Sequence, residues 1–256
     1  MNRIDKKFEE LNKKGKKALI PYICSGDPSV DMTEKLVYAL EEAGADIIEL
    51  GIPFSDPLAD GPVIQDAAIR AFAGGYRLKD TFTVIENVRR KSDIPLVIMV
   101  YYSSIIGYGR ERFAESCVKC GVDGLIIPDL PYEEYDEFEG CLEGTDIYMI
   151  PLVGLTSGER IPKLVKNAKG FVYCVSSMGV TGVRKEFDTR VESFVREVKK
   201  YTDTPACIGF GISSREDIEK FEEYADGCIV GSAIVRRIFE SGCELEAVKE
   251  FVSGLR

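Results

Sequence analysis

Eight short apolar runs, rich in β-branched residues and spread along the whole chain, constrain its fold more than any other feature. They lie at residues 18–24, 46–51, 95–101, 124–128, 146–152, 170–175, 206–209 and 227–231. Each is apolar almost throughout instead of alternating, the pattern of a strand in a parallel sheet covered by helices. Between them run amphipathic stretches at 29–43, 81–90, 110–120, 131–142, 159–167, 189–200, 214–224 and 233–252, and another, 4–13, precedes the first strand. Eight strand–helix units in 256 residues fit a (β/α)8 TIM barrel with an extra N-terminal helix, since such barrels take about 250 residues. No Ser/Gly/Pro-rich linker or charge run divides the chain, so a single domain spanning 1–256 is expected. An open doubly wound sheet is the rival architecture. Eight even repeats, and no glycine fingerprint after the first strand, count against it.

Barrels of this kind keep their chemistry where strands end and the following loops begin. In this chain those ends are Cys24, Glu49, Tyr101–Tyr102, Asp129, Val153, Ser176, Gly211 and Gly231. Glu49 is the only glutamate among them, and no lysine is present to form a Schiff base. The chain also has no histidine. That removes an imidazole base, a Ser-His-Asp or Cys-His pair and any histidine metal ligand, so neither a metal nor a resident cofactor is expected. A net charge of −10 argues against a nucleic-acid partner, and no apolar run reaches the ~18 residues of a membrane span. The basic N-terminus lacks the apolar core and cleavage site of an export signal. A cytoplasmic location is expected, with the eight cysteines reduced.

The richest segment is 49–65, ELGIPFSDPLADGPVIQ, in which Pro53, Pro57, Pro62, Gly51 and Gly61 hold the path while Asp56 and Asp60 follow Glu49, with Asp66 just beyond it. Period-two alternation puts Glu49 on the face of Ile47. A glutamate facing a barrel interior has its pKa raised by desolvation toward that of a general acid. Asp60, in PLADGP, is a second candidate, although aspartate before glycine is also ordinary turn chemistry. Asp56, before a proline, reads more readily as a turn initiator. A phosphate hold is spread over three stretches: SSMGVTG at 176–182, GFGIS at 209–213, and Gly231-Ser232 leading into a helix. Glycine allows close backbone approach, and a helix N-terminus offers free amides to an anion. The connection 176–188 is long enough to act as a lid. Cys117 and Cys120 form a lone CxxC on a helix, with no second pair to complete a metal site.

The motifs PYICSGDP, ELGIPFSDPLADGPVIQDA, VIMVYY, GLIIPDLP, GVTGVR, GFGIS and VGSAIV, in this order over nearly the whole chain, resemble the tryptophan synthase alpha-chain family. The resemblance implies a barrel that cleaves indole-3-glycerol phosphate by a retro-aldol reaction to indole and glyceraldehyde 3-phosphate. It also implies a beta-subunit partner in an alpha2beta2 assembly, which takes the indole and supplies its own pyridoxal phosphate. On that likeness Glu49 is the general acid/base and Asp60 steadies positive charge at the indole nitrogen. Tyr22, Ile64, Val100, Tyr102 and Ile127 would line the indole slot, with Tyr173 beside the ligand. Gly182, Gly211, Gly231 and Ser232 would hold the phosphate, and Thr181 would close over Asp60. The chain departs from the family's pattern at Cys24, Ser103-Ser104, Val153-Gly154-Leu155 and Ser177. A free-standing lyase, a weak subunit that activates its partner, and another sugar-phosphate barrel enzyme are the competing readings.

Overall fold

The computed structural model describes residues 1–57, 60–176, 190–209 and 211–256. Its strands are β1 (Ala18–Cys24), β2 (Ile48–Gly51), β3 (Leu96–Met99), β4 (Gly124–Ile126), β5 (Tyr148–Met149), β6 (Leu152–Gly154), β7 (Val172–Val175), β8 (Ala206–Gly209) and β9 (Gly227–Val230). All described pairings are parallel, in the order β5-β4-β3-β2-β1-β9-β8-β7-β6. The two outermost strands of that sheet, β5 and β6, are consecutive pieces of one extended segment interrupted at Ile150 and Pro151. On one side the Ile150 amide donates to the Leu125 carbonyl at 2.8 Å, and on the other the Tyr173 amide donates to the Pro151 carbonyl at 2.9 Å. The sheet therefore closes on itself through this segment. Counting β5 and β6 as one gives the eight-stranded α/β barrel that the repeat pattern implies.

Alternation along each strand sorts the apolar residues into two layers. Ile20, Ile47, Val97, Ile126, Phe171 and Ile229 form the interior cluster. Their neighbours Leu19, Ile48, Leu96, Ile98, Leu125 and Val230 pack outward against the helices. The helix Arg3–Lys13 corks the lower opening, with Ile4, Phe8 and Leu11 at helical spacing inside the interior cluster. Asn2 starts this helix by accepting from the Ile4 amide at 2.8 Å.

Three aspartates fasten the same end of the barrel. Asp46, just ahead of β2, accepts from the Leu19 amide of β1 at 2.8 Å. Asp123 does the same for Leu96 of β3 at 2.8 Å, and Asp226 for Ala206 of β8 at 2.9 Å. Each carboxylate thereby supplies an acceptor for an amide at the start of a neighbouring strand. Asp123 is the most heavily engaged, bridging Arg3 at 3.0 Å and the largely buried Arg89 at 2.7 Å.

The helices depart from expectation in several places. The segment after the strand-two loop is a helix, Pro62–Ala73, opened by a proline and burying Ile64, Ala67, Ala68 and Ala71. A short helix, Tyr102–Tyr108, follows β3. Leu78–Val88 begins three residues earlier than the 81–90 expectation. The stretch 131–142 folds as the short pieces Tyr132–Glu134, Asp136–Glu139 and Gly140–Leu142. The final stretch is two helices, Ser232–Glu240 and Leu245–Ser253, because Gly242 and Cys243 both take positive φ (63° and 66°) between them.

Removing one partner of a buried ion pair leaves the other charge uncompensated, at roughly 3–5 kcal/mol. Asp123→Ala should therefore lower stability by about 3 kcal/mol or more in urea denaturation, whereas Asp93→Ala, at an exposed ion pair with Arg3, should change it little. Equal midpoints for the two variants would refute the stapling role of Asp123.

Candidate active site

Glu49 sits near the upper end of β2 and is the register partner of Tyr22 on β1 and Val97 on β3. Its parity with Ile47 points it into the barrel, where its exposure is 0%. Neither carboxyl oxygen has a hydrogen-bond partner among the described residues. Burial, and then the negative charge of nearby Asp60, push its pKa from the ordinary 4.5 up to about 8. At neutral pH this group is a carboxylic acid with a proton to give.

Asp60 approaches from the far end of the strand-two loop, immediately before Gly61, the residue that caps Pro62–Ala73. The Gln65 side chain donates to its backbone carbonyl at 2.8 Å. The Tyr101 hydroxyl donates to its Oδ2 at 3.2 Å. Burial raises its pKa to about 6, against the downward pull of that hydrogen bond. Two carboxyl groups in one pocket thus carry different charges at pH 7: Glu49 neutral, Asp60 ionised.

Aromatic rings supply the walls. The Tyr22 phenol lies across the end of β2, where a Cβ at Gly51 would collide with its hydroxyl, so position 51 has to be glycine. Tyr173 makes the same demand on Gly209, where an added Cβ would sit 2.5 Å from its ring. Both phenols are pushed well above their ordinary pKa, chiefly by burial and further by the acids around them, and stay neutral. Ile64 and Cys24 pack with Tyr22 on the same side.

The start of the helix Ser232–Glu240 adjoins this wall. Gly231 caps the helix Ser232–Glu240, and a Cβ on it would lie 3.6 Å from Cβ of Tyr22. The free amides of this helix start, with its dipole, favour a negative group beside Tyr22. Gly211 takes φ +83°, a conformation that side chains other than glycine rarely adopt. Strands β2, β1 and β9 are consecutive neighbours, so Glu49, Tyr22 and Gly231 form one continuous arc.

Three expected slot residues are elsewhere. Val100, Tyr102 and Ile127 belong to the outer layer, and Tyr102 packs edge-on against Phe138 with 6.3 Å between centroids. Their chain neighbours carry the inward parity: Ile126 lies in the interior cluster, Met99 packs against it, and Tyr101 reaches Asp60. A slip of one position moves a residue to the opposite face. Counting by twos from Val97, the partner of Glu49, selects Met99 and Tyr101 directly. Thr181 and Gly182, with nearly all of the 176–188 connection, lie outside the described residues. Asp56 is exposed. Cys117 and Cys120 are buried within the helix Arg110–Cys120.

Known proteins of similar sequence and shape agree with one another. The family model for the tryptophan synthase alpha chain matches residues 8–253. The alpha chain of Caldanaerobacter subterraneus subsp. tengcongensis is 54% identical over 259 aligned residues, covering 100% of this chain and 99% of its own length. That of Clostridium beijerinckii is 48% identical, covering 100% and 98%. Among solved structures, tryptophan synthase of Mycobacterium tuberculosis superposes with a TM-score of 0.92 at 35% identity, covering 99% of this chain and 96% of that one. The alpha subunit from Legionella pneumophila superposes at 0.90 and 34%, covering 100% and 97%. A match of this extent in sequence, together with the closed barrel, establishes that the chain belongs to the tryptophan synthase alpha chain family.

Proposed function

We propose that this enzyme of tryptophan biosynthesis is a carbon–carbon lyase, cleaving indole-3-glycerol phosphate to indole and glyceraldehyde 3-phosphate in the cytoplasm. We further propose that it passes the indole to a beta subunit in an alpha2beta2 assembly. One observation carries the chemistry: a buried, protonated Glu49 faces an ionised Asp60 in a pocket walled by tyrosines, in a chain without histidine.

A retro-aldol cleavage without metal or Schiff base needs a proton delivered to the indole ring and another removed from the side-chain hydroxyl. Glu49 gives its proton to indole C3, and positive charge develops at the ring nitrogen. Asp60, ionised, accepts a hydrogen bond from that N–H and stabilises the charge. Glu49, now a carboxylate, takes the proton of the glycerol hydroxyl next to the ring as the carbon–carbon bond breaks. The bond electrons return to the ring and restore the indole, the hydroxyl carbon becomes the aldehyde, and Glu49 recovers its proton. The separation of the two pKa values assigns these roles. Gly231, Ser232 and Gly211 receive the phosphate, with Tyr22, Ile64 and Tyr173 along the ring between the phosphate and the acids.

The direct test is release of indole by the purified chain. General acid–base catalysis contributes ~10²–10⁴-fold, so Glu49→Gln should slow release by at least about 10²-fold, and a cognate beta subunit should accelerate the parent. Turnover by Glu49→Gln at the parent rate would sink the mechanism. With Asp60 needed ionised and Glu49 needed protonated, kcat/KM should trace a bell between limbs near pH 6 and pH 8. A flat profile from pH 5 to 9 contradicts that assignment.

Stability gives a readout independent of turnover. The folded state raises the pKa of Glu49, so its contribution is fully present below about pH 4.5 and is lost as pH rises to about 8. Glu49→Gln escapes this loss. Its stability advantage over the parent should widen between pH 5 and pH 8 in urea denaturation and level off above. A constant gap would show that the carboxyl is not held protonated.

A further inference from the structure

We infer that Tyr101 is the positioning residue for Asp60: its hydroxyl fixes the aim and charge of that carboxylate, and its ring anchors the loop after β2 at Phe54. This deepens the lyase reading and rests on it for the role of Asp60.

The residue is constrained from every side. It caps the helix Tyr102–Tyr108, and its carbonyl accepts from the Ser104 amide at 3.0 Å. The ring stacks on Phe54 at 4.6 Å between centroids with 19° between planes, and is 4% exposed. A ring held by its backbone and by a stacked neighbour leaves the hydroxyl little choice of direction, and it donates to Asp60 Oδ2 at 3.2 Å. Phe54 and Asp60 stand on either side of Pro57 in the sequence, so one tyrosine holds this segment at two points. Asp60 itself belongs to no helix or strand.

The groups facing Asp60 explain why the hydroxyl matters. Tyr22 and Cys24 face it from β1, Glu49 from β2 and Tyr173 from β7. The two phenols and the thiol are kept neutral by burial, and Glu49 is an acid; none of these four is a cation. A carboxylate in such company favours protonation. The hydrogen bond from Tyr101 favours the ionised form, the form that can stabilise a cationic ring nitrogen.

Tyr101→Phe keeps the ring and its stack while deleting the donor. In the full chain, the Asp60 carboxyl, followed by ¹³C NMR, should titrate about one pH unit higher than in the parent. The acid limb of kcat/KM for indole release should move up with it. The fall in kcat should be about twofold at pH 7 and about tenfold at pH 5, with KM nearly unchanged and thermal stability close to the parent's. An unchanged Asp60 titration, or a shifted titration with parental kcat, overturns the proposal. The lyase reading fails separately, if the parent releases no indole or if Glu49→Gln releases it normally, and the Asp60 titration is read without any turnover.

Discussion

Closure of the sheet through the segment that holds β5 and β6 is the constraint on which everything else in this molecule rests. An open sheet has two faces and two edges. A closed one has an inside and an outside, and every strand residue is committed to one of them by parity alone. That commitment places Glu49 in a dry interior instead of on a solvated rim, and it raises the carboxyl's pKa without any dedicated partner. The same commitment brings Tyr22 beside it and requires Gly51 and Gly209 where the phenols cross.

The pocket shows how two chemically similar groups acquire different work. Both acids are raised by burial, but among the described residues only Asp60 receives a hydroxyl donor, and Glu49 has the other's charge counted against it. The resulting order, acid on the strand and anion on the loop, suits a reaction in which one proton is delivered and one positive charge is steadied. The chain has no histidine, and the tuning comes from burial, from the charge of the neighbouring acid and from a hydroxyl donor.

Much of this was legible in the sequence. Near-continuous apolar strands at even spacing implied a helix-covered parallel barrel, and the alternation around Asp46-Ile-Ile-Glu gave the inward direction of Glu49. The strand-end glycine of Gly231-Ser232 marked the helix start at Ser232. What failed did so for local reasons. Pro57, Gly61 and Pro62 made the strand-two segment look like loop throughout, hiding the helix Pro62–Ala73 behind its own start signal. Val100, Tyr102 and Ile127 were assigned by likeness to the family and not by parity from Glu49, which displaced them one step from Met99, Tyr101 and Ile126. The Tyr101–Asp60 hydrogen bond joins residues 41 apart and leaves no trace in local pattern.

The corking helix has a consequence for traffic. Ile4, Phe8 and Leu11 fill the lower end of the barrel, and the interior above them is packed with Ile47, Val97 and Phe171 up to the level of Glu49. Among the described residues this packing fills the axis below Glu49, so the pocket is blind at its lower end. Substrate and an apolar product then share the upper end. A protein that collects that product before it escapes to water is best stationed over that upper end, while the face closed by the helix Arg3–Lys13 serves as foundation.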